Sequence, residues 1–358
     1  MGDIEFEQRG ALGLVTLARP KAMNALTHAM ALALEAQLDA WAEDAGVEVV
    51  AIRGAGEKAF CAGGDIRALY DAGRPGGERG RANFPFYADE YRMNWKIRHF
   101  PKPYIALMDG VVMGGGVGVS IHAARRIAGD RTLFAMPETG IGLFPDVGGT
   151  WFLPRLPGET GMWLGLTGAR LKTADVLAAG ICDHYLPSDR TDELIRALSE
   201  IEIGQREPIE AVDRVIEAFS RQPEAEPALH GLRPAIDRCF AGGSVEAVLE
   251  ALAAEGTDWA AAQRAAILSK SPTCTRIAFR QIREGAGLSF SDCMALEYRL
   301  ARFCMERPDF YEGVRATIID RETPARWDPA TLEEADEAFV APAFAPLGAE
   351  ELALPAPP

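Results

Sequence analysis

Twice in the first third of the chain a strand-like run leads into a glycine-rich turn that opens helix-like sequence. No other feature constrains the fold as strongly. "VEVVAIRG" runs toward "FCAGGDI" (60–66) and on into "GGDIRALYDAG"; "YIALMDGVV" runs into "MGGGVG" (113–118) and on into "GGGVGVSIHAARRIA". The strand-like runs "RIAGD" and "TLFAMP" come next. Ahead of both turns, "DIEFEQ" and "LGLVTLA" meet at Arg9-Gly10 as a hairpin, and Leu26, Met30, Leu34, Leu38 and Trp41 recur at helical spacing with Asn24 or Thr27 as N-cap. Strand and helix alternate through about residue 185, which predicts an α/β domain.

From about residue 190 the periodicity turns helical, in "TDELIRALSEIEI", "IEAVDRVIEAFSRQ", "SVEAVLEALAAEG" and "SFSDCMALEYRLARFCME", the last capped by Ser289 or Ser291. "RQPEAEPALHGLRP" reads as a break between helices, and the Pro- and Ala-rich last twenty residues read as a fraying tail. The division that follows is a core over 1–190, a helical region over 191–340 and a flexible tail over 341–358.

The net charge of −15 argues against a nucleic-acid partner, which needs clustered Lys and Arg. A local basic patch for a small anionic ligand remains compatible with it. Cysteines 61, 182, 239, 274, 293 and 304 show neither a C-x-x-C pair nor metal-ligand spacing, so free thiols in a reducing compartment are expected, with no metal. Strand-like sequence begins at Ile4, and no apolar run is long enough to span a bilayer. On these grounds the chain is expected to be soluble, cytoplasmic and independent of membranes.

The glycine turns can do chemistry. A glycine between strand and helix lets backbone N–H groups approach a ligand, and two such turns converging would supply a pair of donors for a developing oxyanion. The same glycines could simply make tight turns or close helix packing. Gly114, Gly116 and Val119 do not complete a dinucleotide fingerprint, and neither a phosphate-binding G-x-x-x-x-G-K-[ST] nor a G-x-S-x-G nucleophile elbow occurs.

The acids stand out in "MPETGIGLFPDVGG" (136–149). From Thr132 to Pro154 the only ionisable side chains are Glu138 and Asp146, and two prolines and four glycines within residues 136–149 rule out a regular helix. A carboxylate in an apolar loop is desolvated and its pKa rises unless hydrogen bonds compensate, which makes a general base or a nucleophile. The alternative is a loop acid that accepts backbone N–H bonds.

Together, "AFCAGGDI", "KPYIALMDGVVMGGGVGVSIHAARRIA" and "FAMPETGIGLFPDVGGTWFLPRLPG" resemble the crotonase (enoyl-CoA hydratase/isomerase) superfamily, and most closely its 3-hydroxyisobutyryl-CoA hydrolase branch. "SPTCTRIAFRQIREG", "EYRLARFCM" and "DFYEGVRATIIDR" carry the resemblance through the C-terminal half. It implies a spiral of ββα units followed by helices that cover the site and often mediate trimers. It also implies an oxyanion hole from the N–H groups of Gly64 and Gly115, with Arg67 and Lys58 as candidates for the CoA phosphates. Where hydratases carry one catalytic Glu this chain has Gly118; Glu138 matches their second; Asp146 and Glu90 match acids of the hydrolase branch.

The implied activity is cleavage of a short branched 3-hydroxyacyl-CoA thioester, as in valine catabolism. Glu138 would attack or activate water and Asp146 would hold the 3-hydroxyl or the water, with CoA as the substrate's carrier and not a retained cofactor. The rival readings are a hydratase or isomerase of the same fold using Glu138 alone, and a non-catalytic acyl-CoA binder.

Overall fold

The computed structural model describes residues 2–203 and 207–356. Strand β1 (Ile4–Arg9) turns back on β2 (Leu12–Leu17) as the expected antiparallel hairpin, and helix α1 (His28–Glu43) follows. Thr27 is its cap, accepting from the Met30 N–H. Asn24 is buried ahead of the helix, where its side chain bonds the Arg19 N–H and the Ala55 and Ala59 carbonyls.

The chain then alternates between two sheets. Strand β3 (Val49–Gly54) joins β2 in parallel, and β4 (Ala59–Cys61) starts the second sheet. After helices α2 (Ile66–Gly73) and α3 (Phe84–Arg98), β5 (Tyr104–Met108) returns to the first sheet and β6 (Val111–Met113) to the second. "YIALMDGVV" is therefore two strands, not one. The chain switches sheets at Gly110, whose φ of +92° and closeness to the Lys58 and Ala59 backbone (2.8–2.9 Å from where a Cβ would sit) leave room only for glycine.

The helix expected after the triple glycine is a single turn, α4 (Gly115–Gly118), because "RRIA" is taken as strand β7 (Arg125–Ala128) beside β5. Strand β8 (Leu133–Ala135), the short helices α5 (Gly149–Phe152) and α6 (Thr160–Thr167), strand β9 (Leu171–Lys172), helix α7 (Thr173–Ala178) and strand β10 (His184–Tyr185) complete the alternating part. The sheets run β1-β2-β3-β5-β7-β10 and β4-β6-β8-β9. This is the expected α/β spiral followed by helices.

Strand β5 is buried throughout, and alternate residues face two different cores. Val50, Ile52, Tyr104 and Ala106 join the main core with α1 and α3. Val49, Ala51, Ile105 and Leu107 meet helices α8 (Thr191–Ser199) and α9 (Pro208–Phe219) through Leu194, Leu198, Val212 and Ile216. A strand apolar on both faces needs cover on both, so the first two helices of the 191–340 region back the sheet instead of covering the site.

Helices α10 (Ala228–Phe240), α11 (Val245–Glu255), α12 (Asp258–Leu268), α13 (Pro272–Gly285), α14 (Phe290–Met305) and α15 (Pro308–Val314) follow. Ser289 caps α14 by accepting from the Asp292 N–H. The expected break over "RQPEAEPALHGLRP" is shorter than predicted. Helix α10 starts within it and keeps Pro234 inside, the lost N–H being offset by burial of Leu229, Ile236, Cys239 and Phe240.

The tail packs rather than frays. Ala343, Phe344 and Leu352 are buried, Arg280 lies over the Phe344 ring at 3.9 Å, and Arg299 Nε bonds Glu351 at 2.9 Å. Its apolar residues cover the outer faces of α13 and α14, which composition alone did not reveal. No described helix is long and apolar enough to cross a membrane.

Candidate active site

The two glycine turns meet. Behind β4, the Leu26 N–H donates to Gly63 O and the Asp65 N–H to Leu26 O, both at 2.8 Å, fixing the turn that presents Gly64. Behind β6, Gly114 (φ +47°) swings the chain so that α4 starts at Gly115. A Cβ on Gly115 would lie 3.2 Å from Gly64 N and 2.6 Å from Glu90 Oε1. Neither the Gly64 nor the Gly115 N–H has an acceptor among the described residues, and both residues line a cavity of about 640 Å³. Gly116 is glycine for another reason, since its Cβ would sit 2.1 Å from Cys61 O.

Three carboxyl groups face this cavity: Glu90 from α3, and Glu138 and Asp146 from the loop after β8. All are buried, at 2%, 4% and 4% exposure. Glu138 opens a short 3₁₀ turn over Glu138–Ile141 whose φ-fixing Pro137 precedes it. Its Oε1 lies 3.6 Å from where a Gly114 Cβ would be, against the triple-glycine turn, and its Oε2 has no partner among the described residues.

Burial raises the Glu138 pKa well above the carboxylate range and the Asp146 charge raises it further, while the Gly114 N–H and the Lys270 ammonium oppose the shift. Desolvation likewise pushes Asp146 up to about 7, against a 2.9 Å hydrogen bond donated by the Tyr91 hydroxyl. Glu90 is raised by burial and then by Asp146 and Glu297, and its Oε1 is also unpartnered. Three acids held above their ordinary range beside two free N–H donors form a site able to bind a carbonyl and attack it.

Of the remaining expected residues, Arg67 is exposed at the cavity's edge, whereas Lys58 is exposed in the β3–β4 loop and does not line it. The Lys58 backbone carbonyl accepts the Val111 N–H, which fixes the loop in which its side chain lies outside the cavity lining. At Gly118 a Cβ would meet Asn94 Nδ2 at 2.7 Å and Val147 Cβ at 2.9 Å, so no acid fits there.

Sequence reasoning did not find Tyr91, Lys270, Arg170 or Glu297. Lys270 and Arg170 line the cavity and supply the cations that residues 132–154 lack. Glu297 is fully buried on α14 and accepts from Gly148 N and Thr150 N, each at 2.8 Å. Its signal was present: an acid four residues from Cys293 and three from Leu300, on a helix face otherwise apolar.

A family model described as enoyl-CoA hydratase/isomerase matches residues 12–344, and the chain belongs to that family. Within it, the chain is 44% identical to the 3-hydroxyisobutyryl-CoA hydrolase, mitochondrial, of Danio rerio, covering 98% of this chain and 92% of the relative. Against the human protein of that name the identity is 40%, over 98% of this chain and 90% of the relative. A solved structure described as a carnitinyl-CoA dehydratase from Mycobacterium thermoresistibile superimposes with a TM-score of 0.89 at 39% identity, with 99% of each chain covered. One described as an enoyl-CoA hydratase from Rhodobacter sphaeroides gives 0.89 at 38%, covering 99% of this chain and 100% of that one.

The expected cytoplasmic location is overturned: these hydrolase relatives are mitochondrial by name. An organelle address is carried by a removable leader that takes no part in the fold, so buried thiols and charge balance do not report it.

Proposed function

We propose that this chain hydrolyses 3-hydroxyisobutyryl-CoA to the free acid and CoA. The observation that carries the reading is the exchange of acids around an unchanged pair of donors. Glu138 and Asp146 line the same cavity as Gly64 and Gly115, while the position of the other hydratase acid, Gly118, is filled by Asn94 and Val147. Two-acid addition of water to a double bond therefore lacks one acid.

The thioester oxygen binds between the two N–H groups, which stabilise the charge that develops there by about 3 kcal/mol per donor. A Glu138 carboxylate oxygen attacks the carbonyl carbon, the C–S bond breaks, and CoA leaves as thiolate and takes up a proton. Water then adds to the Glu138 carbonyl of the mixed anhydride, freeing the acid and restoring Glu138. The buried, unpartnered Oε2 supports direct attack, because a desolvated carboxylate is the better nucleophile. Asp146 accepts from the substrate's 3-hydroxyl, Glu90 bounds the acyl side, and Arg67 faces the CoA phosphates. CoA is carried by the substrate, and the scheme uses no metal or retained cofactor. A trimer-type homo-oligomer is proposed from the family resemblance alone.

Release of CoA thiol, followed with a thiol dye, separates this reading from isomerisation and from simple binding. A single turnover in heavy-oxygen water tests the covalent step. The label enters Glu138, and the first product molecule carries an enzyme oxygen. Label going straight into the product, with Glu138 unlabelled, would replace attack by Glu138 with base catalysis and leave the hydrolase reading standing.

A further inference from the structure

Asp146 stands next to a strained residue. Val147 has a φ of +52°, in the left-handed region that β-branched side chains rarely enter. Strain of this kind persists only where the surroundings impose it. Here the restraint acts on one peptide unit. The Val147 carbonyl faces His122 Nε2 at 2.8 Å, and the next amide, Gly148 N–H, donates to Glu297 Oε2 at 2.8 Å. Burial pushes His122 down to about 3, so the ring is neutral and Nε2 donates.

The second oxygen of Glu297 takes the Thr150 N–H, also at 2.8 Å, so both carboxylate oxygens are engaged by the one turn. A flip of the Val147–Gly148 peptide, which turns on ψ of Val147 and φ of Gly148, would point a carbonyl at Glu297 and leave His122 without an acceptor, so this peptide is held in place beyond the strained φ. Upstream, the Gln281 amide donates to Pro145 O at 2.6 Å, and Tyr91 donates to Asp146 itself.

We propose that Glu297 is a positioning residue for hydrolysis: from the helical half of the chain it locks the Val147–Gly148 peptide and thereby aims the Asp146 carboxylate into the cavity. The proposal rests on the role given to Asp146 above. Of the ionisable side chains bonded to the 145–150 turn among the described residues, Glu297 is the one that reaches across from the C-terminal helices.

The test is a double-mutant cycle read in turnover. Glu297→Gln keeps the shape but sets an NH2 group against one of the two N–H donors. In the otherwise native enzyme it should lower kcat for 3-hydroxyisobutyryl-CoA by about tenfold, with KM within about threefold. In an Asp146→Asn background the further loss should fall below about twofold, because the group being aimed is already gone. The same factor in both backgrounds, or no loss in the first, overturns the proposal. If Glu297→Gln does not fold, Glu297→Asp, too short to reach both amides, is read in the same cycle. Asp146→Asn alone leaving turnover at the wild-type level would sink the role of Asp146 and this proposal with it, whereas additive losses sink only the role of Glu297.

Discussion

The cavity has two walls built on different principles. The donor wall, Gly64 and Gly115, is backbone, and each half is set by its own strand and the turn that follows it. The acid wall, Glu90, Glu138 and Asp146, is side chain, and what governs it arrives from far along the chain: Tyr91 is 55 residues from Asp146, and Glu297 is 149 from Gly148. Local sequence can therefore place two backbone donors at a turn. It cannot set the pKa of the acids that fold up beside them.

The largest effect should come where the walls touch. Any side chain at Gly115 meets Glu90 Oε1 and crowds Gly64 N at once. Gly115→Val should cost kcat/KM about 10³-fold in a folded protein, the upper end for loss of an oxyanion donor. Full activity would mean that the two walls are not one site and that the carbonyl binds elsewhere.

A smaller effect isolates the acid wall. Asp146→Ala should harm turnover of a 3-hydroxyacyl-CoA by about tenfold more than that of the matching acyl-CoA without the hydroxyl, because an unpaired buried carboxylate already rejects the second substrate. Equal losses on both would make Asp146 a group that positions water or its own loop, and the contrast between the walls would then lie in geometry alone.

The smallest effect is on stability. Asp146 is raised from 3.8 to about 7 in the folded chain. With a raised acid the folded state holds the extra proton between those values, so stability is greatest at low pH and is lost as pH rises through the folded pKa. Below the unfolded value of 3.8 the two proteins carry the same charge at position 146 in both states, so Asp146→Asn should gain thermal stability relative to wild type as pH rises from there toward 8, by about 2 °C for each kcal/mol of burial relieved. A constant difference in melting temperature across that range would mean that Asp146 ionises freely and that its wall is wetter than the cavity suggests. No corresponding pH term is expected from the donor wall, since backbone amides do not titrate.

Much of this was legible in the chain. The hairpin at Arg9-Gly10, the α1 stripe from Met30 to Trp41 and both glycine turns follow from periodicity and from the freedom glycine gives. Glu138 and Asp146 were visible because nothing else from Thr132 to Pro154 ionises. Closeness in sequence to "FCAGGDI" does not bring Lys58 into the cavity lining, since it says nothing about which way a strand's entry loop faces. The helix expected after Gly114 was overstated because "RRIA" gains more by pairing with β5 than by extending a glycine-rich turn. The tail's proline content concealed the packing of Phe344.

The sequence by itself determined the local elements: α/β alternation, two amide-presenting turns and two acids in a run too apolar to solvate them. Only the tertiary structure decided that the turns face one another, that Asn94 and Val147 fill the space beside Gly118, and that Lys270, Tyr91 and Glu297 surround the acids. The reason is the range of the forces. Backbone conformation is set within a few residues, whereas desolvation and charge act through space, between groups that neighbour one another only after folding.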